Sequence, residues 1–202
     1  MTFKKRIENI WYYYKAYLIA GIVAVIALCV AINSCANRKK YDVNILYMTH
    51  GYADSFYQTD ELSELFAAYT DDVNGDGITN TQIITIRYGE TLQDINSANA
   101  TRSANLAAGK NVLFLIDEQN YTELKNGGFL ADISSLGESE YLESDRFCIF
   151  DSGLLDNVSG FKQVGDRYYL CLRTYDESKA NTDASYKKQY DAAKQLLQNI
   201  IS

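Results

Sequence analysis

The sequence predicts an α/β domain, a three-layer sandwich on a mostly parallel sheet, standing behind an N-terminal transmembrane helix. Three observations predict it. Residues 16–32, AYLIAGIVAVIALCVAI, run for seventeen residues without a charge. From position 42 onward, strand-like and helix-like stretches alternate, the pattern of strands joined by right-handed crossover helices. The third strand-like run, residues 112–117 (VLFLID), is apolar on both faces, which only a strand covered on both sides tolerates.

The apolar run comes first in the chain. At a helical rise of about 1.5 Å per residue it makes roughly 26 Å of helix, close to the hydrocarbon thickness of a bilayer. Before it, residues 1–15 form a short basic segment carrying Lys4, Lys5, Arg6 and Lys15, with Trp11, Tyr12, Tyr13, Tyr14 and Tyr17 as an aromatic belt. Basic residues favour the cytoplasmic side. The expected organisation is therefore a cytoplasmic segment 1–15, a single-pass anchor 16–34 in the cell membrane, a linker 35–41 and an extracytoplasmic domain 42–202. An alternative reading takes Ile32-Asn33-Ser34-Cys35 as a lipoprotein cleavage box with Cys35 as the lipidated residue. The domain is tethered on either reading.

Charge divides the chain as sharply as hydropathy does. Residues 1–40 hold seven bases against one acid, leaving 12 bases against 25 acids in residues 41–202, a net charge of −13. Such a domain repels phosphate backbones, so no nucleic-acid partner is expected. The partners that fit are the membrane, a small solute or a membrane protein. About 160 residues suffice for one domain with a core. Cys148 and Cys171 lie in apolar contexts, RFCIF and YYLCL, and are read as buried thiols or as one disulfide. With no proline in the chain, turns are built from Gly, Asn, Asp and Ser.

Within the domain, residues 42–49 (DVNILYMT) read as a first strand. Leu62, Leu65, Phe66 and Tyr69 recur at i, i+3, i+4 and i+7, placing a stripe on a helix that residues 55–58 are read to cap. Residues 82–88 (QIITIRY) are a second strand. Residues 91–108 are read as a helix with Leu92, Ile95 and Leu106 on a common side and Gly109 as its stop. After the third strand, a short helix over 120–125 ends at Gly127-Gly128, and 129–136 runs on extended. Beyond it come an apolar run at 147–150, a hairpin into 167–175, a polar loop, and a closing helix over 186–201 with Tyr190, Ala193, Leu196, Leu197 and Ile200 inward.

One loop carries a metal-like pattern. Asp72, Asn74, Asp76 and Asn80 offer side-chain oxygens at alternate positions, Gly77 stands sixth and the Ile78 carbonyl seventh, matching the first nine positions of an EF-hand type calcium loop. The loop also resembles that of dockerin modules. The twelfth position is Ile83 in place of an acid. A structural Ca²⁺ and a tight helix-to-strand turn both account for the pattern.

The order and wording of several segments resemble a known family. Residues 108–117 (AGKNVLFLID), then YTEL at 121–124 and GFLADI at 128–133, followed by GDRYYL at 165–170, look like the extracellular solute-binding proteins of ABC transporters. The resemblance implies one lobe of a type II periplasmic-binding-protein fold and a solute-binding role. Members of that family close two lobes on a ligand, whereas one lobe is expected here. The WYYYK segment and DVNGDG loop are similar to those of clostridial-type single-anchor membrane proteins, which implies an architecture and no activity.

Ligands of parallel sheets lie beyond the carboxyl ends of the strands, making His50, Tyr52, Tyr88, Glu90, Asp117 and Glu118 the candidate binding residues. Catalysis is not expected. His50 is the sole histidine, which excludes multi-histidine metal sites, and the chain has neither a phosphate-cradling glycine loop nor a nucleophile elbow. The reading is a membrane-anchored binding or accessory module. The alternative is a structural or assembly protein of the cell envelope that contacts partners through an acidic face.

Overall fold

The computed structural model describes residues 3–36, 40–50, 59–158 and 167–202. The chain divides into two compact units, residues 1–40 and 41–202.

The first unit is one helix, α1 (Phe3–Ala36). Ile19, Ile22, Val23, Val25, Ile26, Leu28, Val30 and Ile32 are all exposed on it, so its apolar residues point in every direction instead of forming one stripe. Among the described residues no helix is long and apolar enough to cross a membrane; Leu18 and Ala31, inside the apolar run, lie outside the described side chains.

The second unit is an α/β domain on a five-stranded mixed sheet of order β2-β1-β3-β5-β4. Its strands are β1 (Val43–Thr49), β2 (Thr81–Arg87), β3 (Leu113–Asp117), β4 (Phe147–Cys148) and β5 (Tyr168–Leu172). The helices are α2 (Thr59–Ala67), α3 (Leu92–Ala108), α4 (Glu118–Asn126), α5 (Glu177–Thr182) and α6 (Ala184–Ile201).

The expected mostly parallel sheet is corrected here. β1 pairs parallel with β2 and β3, but β3 pairs antiparallel with β5, and β5 antiparallel with β4. The apolar run of β3 requires cover on both faces and says nothing of its neighbour's direction, so a buried antiparallel partner satisfies it equally.

Alternation along the strands builds two cores. Ile45 and Tyr47 of β1, Leu113 and Leu115 of β3, and Tyr168, Leu170 and Leu172 of β5 meet Leu62 and Phe66 of α2 and Tyr186, Tyr190, Ala193, Leu196 and Leu197 of α6 on one face. Leu46, Met48, Phe114, Ile116, Tyr169 and Cys171 meet Ala98 of α3 and Tyr121 and Leu124 of α4 on the other. Each side chain points opposite to the next, so a single apolar sequence feeds both cores.

Helix ends follow the sequence closely. Thr91 caps α3 by accepting from the Asp94 amide, and Gly109 stops it at φ 60°, a left-handed conformation that glycine adopts at little cost. Of the residues read on a common side of α3, Ile95 and Leu106 are half-buried, Leu106 packing against the second core, while Leu92 is 80% exposed and the residue of α3 that is buried is Ala98. The extended segment expected over 129–136 holds a lone bridge from Leu130 to Arg173 and a 3-10 turn, Ser134–Leu136. The polar loop before the closing helix contains α5, capped by Asp176 on the Lys179 amide. The cap read at 55–58 lies outside the described residues.

Candidate functional site

The amino and carboxyl edges of β1, β2 and β3 are built differently. At the amino edge the chain enters through Asp42, which is 3% exposed. Its Oδ1 accepts from the amides of Val73 and Asn74 at 3.0 Å each, and its Oδ2 accepts from Asn80 at 2.9 Å. The 72–80 loop is thereby pinned to the first residue of the domain. The loop also holds itself: Asp72 Oδ1 accepts from the amides of Gly75 (2.7 Å) and Asp76 (3.2 Å), and its Oδ2 from Gly77 (2.8 Å). Asn74 Oδ1 accepts from Asp76 and Asp76 Oδ1 from Ile78, both at 3.0 Å. Gly75 and Gly77 sit at φ 74° and 81°, which explains glycine at both positions.

The side-chain oxygens of Asp72, Asn74 and Asp76 thus bond backbone amides, and the tight-turn reading accounts for them. Ile83, at the twelfth position, packs against the first core and brings no oxygen. Among the described residues no group of three or more His, Cys, Asp or Glu gathers as a metal cluster would.

At the carboxyl edge, three of the predicted residues converge. His50 follows β1, Tyr88 follows β2, and Asp117 ends β3. The His50 amide donates to Asp117 Oδ2 at 2.6 Å, and His50 Nδ1 lies 3.1 Å from the same oxygen. A carboxylate only accepts, so this contact is a hydrogen bond when Nδ1 carries a proton. The imidazole stacks on Tyr88 with ring centroids 4.1 Å apart and planes 14° from parallel. Its side chain stays 26% exposed beside a buried Asp117, so the ring reaches solvent while its orienting carboxylate does not.

Asp117 also caps α4, accepting on Oδ1 from the Asn120 amide (2.8 Å) and from Asn120 Nδ2 (2.9 Å). Asn120 Nδ2 lies 3.2 Å from His50 Nδ1, and Asn120 Oδ1 and the Tyr88 hydroxyl are both buried without a hydrogen-bond partner. Asn120 belongs to the cluster and was not singled out from sequence. The signal for it was present, a helix-capping Asp with Asn three residues on, but it shows only once α4 is seen to begin at Glu118.

Next to this cluster lies a second one. Glu118 Oε2 accepts from the Tyr169 hydroxyl at 2.5 Å. The Arg146 guanidinium sits 4.4 Å from the ring centroids of both Tyr121 and Tyr169, with two bonds of 2.8 Å to Glu143. Burial raises the Tyr169 and Tyr121 hydroxyl pKa values, and Glu118 and Asp145 add to the rise by bonding their protonated forms. Thr49 and Tyr168 complete the edge with a hydroxyl pair at 3.0 Å.

Of the other predicted residues, Glu90 is exposed and no contact among the described residues brings it to His50. Tyr52 lies outside the described residues. Cys148 and Cys171 are free thiols, both with pKa raised by burial. No family model, no curated protein and no solved structure matches the chain.

Proposed function

We propose that the chain is a membrane-anchored extracytoplasmic binding module, similar in kind to a solute-binding lobe, whose ligand lies at the carboxyl edge of β1, β2 and β3. The observation that carries this reading is the convergence of His50, Tyr88 and Asp117 from three separate strand ends into one oriented, partly exposed imidazole. A packing role alone would not call for a solvent-reaching ring aimed by a buried carboxylate. The imidazole edge turned away from Asp117 is a polar contact for a solute, and the stacked Tyr88 gives the ring a fixed face.

Anchoring rests on α1. A helix that is apolar on all sides with no core of its own fits a lipid surrounding, and the seventeen uncharged residues of 16–32 fall within it. Tethering raises the local concentration of a modest binder beside a membrane partner.

The test is thermal melting of the full chain against a panel of amino acids, short peptides, oligosaccharides and polyamines. At least one class should raise the melting temperature of the parent and leave His50→Ala unmoved. A panel that stabilises neither protein, or both alike, overturns the reading.

A further inference from the structure

Away from the strand ends, on the face of the sheet covered by α3 and α4, lies a cavity of about 560 Å³ lined by Arg102, Ser103, Leu106, Ala107, Glu123, Leu124, Phe129 and Arg173. Its volume is in the range of small-molecule sites. Its apolar surface comes from α3 (Leu106, Ala107), from α4 (Leu124) and from Phe129. Its polar groups are unequal in their pairing. Arg102 and Glu123 form an ion pair across the gap from α3 to α4, and the Arg102 guanidinium also lies 5.8 Å from the Tyr88 ring centroid.

Arg173 is different. It follows β5, and its Nη2 donates to the Leu106 carbonyl at 2.9 Å, in the last turn of α3, while its guanidinium rests 5.7 Å from the Phe129 ring centroid. Nη1 is buried and meets no acceptor, and none of the ion pairs among the described residues includes Arg173. The nearby Lys179 adds positive charge, donating to the Ala108 carbonyl. The cavity therefore offers an apolar body site ending at a guanidinium with one committed edge and no carboxylate.

We infer that this cavity is a second ligand site, taking a small monocarboxylate with an apolar body, its carboxylate on Arg173 and its body on Leu106, Leu124 and Phe129. A guanidinium prefers a charged carboxylate over a neutral acceptor. Glu123 is held by Arg102 and so does not compete for Arg173. The ligand is a free small molecule and not a protein segment, because the Arg102–Glu123 pair bridges the two helices and interrupts the groove that an extended chain would need.

The experiment uses the full chain in nanodiscs with 4-phenylbutyrate as probe and 4-phenylbutanol as its neutral counterpart, read by calorimetry. The acid should bind about tenfold more tightly than the alcohol, and Arg173→Gln should bring the two to parity. Ala107→Trp, at an exposed position, should fill the cavity and abolish binding of both with the melting temperature kept, so the test stands even where Arg173→Gln fails to fold. His50→Ala should change nothing here, which separates this site from the one at the strand ends. Equal binding of acid and alcohol, binding undisturbed by Ala107→Trp, or no binding of the acid at millimolar concentration would each overturn the proposal.

Discussion

Asp42 is the residue on which the amino edge depends. Removing its carboxylate in Asp42→Ala strands three amides at once, at Val73, Asn74 and Asn80. These donors are half-buried or exposed, so water takes up part of the loss, and the variant should lose about 1–2 kcal/mol in a denaturant melt. The calcium reading of the loop is tested by a thermal melt run in millimolar calcium and in chelator. A higher melting temperature in calcium would show that the Asp72 loop holds the metal, and one temperature in both would leave the tight turn as the reading. Tyr190 supplies a pH dependence. Burial, helped by Tyr186 and Tyr175 nearby, pushes its hydroxyl pKa from 10.0 up to about 12. The neutral form is the folded one. The associated stability is complete below pH 10 and is lost as pH rises toward 12, about 2–3 kcal/mol in all. Tyr190→Phe should flatten that part of an alkaline stability curve, and an unchanged curve would show that the hydroxyl is no more costly to ionise in the fold than out of it.

At the scale of elements, strands and helices were legible wherever a period was strong, and tertiary choices were not. β3 read as doubly covered because every residue of it is apolar up to Asp117, and all five positions are buried. What lies beside it in the sheet, an antiparallel β5, depends on chain direction, to which hydropathy is blind. Thr91 and Gly109 marked α3 because capping is local chemistry. The face of α3 was misjudged at Leu92 because its alanines outnumber its leucines, so packing and not periodicity decides which side is buried. A matched pair of substitutions tests the corrected packing. Leu196→Ala in α6, where the side chain is fully buried, should cost about 2–5 kcal/mol, whereas Leu92→Ala should stay within about 0.5 kcal/mol. Similar losses at both would contradict the burial of one and the exposure of the other.

At the scale of the whole molecule, the site was legible as a place more than as a set of residues. Strand ends gave His50, Tyr88 and Asp117, since the carboxyl edge of parallel strands follows from topology. Glu90 did not join them, because a residue three past the strand has already turned toward solvent on the way to α3. Tyr169 and Arg146 were out of reach of sequence reasoning, each meeting the edge through a contact between distant segments, whereas Asn120 meets it through the local cap of α4. The amino edge, where the chain enters at Asp42, and the carboxyl edge, where His50 stands, are opposite ends of the same seven-residue strand β1. Asp42 and His50 are thus separated by the length of that strand, about 23 Å.

The sole histidine of the chain makes the most direct measurement simple, because one imidazole resonance reports on one place. Its Hε1 signal should be followed by proton NMR as each solute class is added to the full chain. The account predicts a saturable shift of the His50 signal with at least one class, matched by the thermal stabilisation that His50→Ala loses. A resonance that stays fixed through millimolar amounts of every class would contradict a binding site at the carboxyl edge.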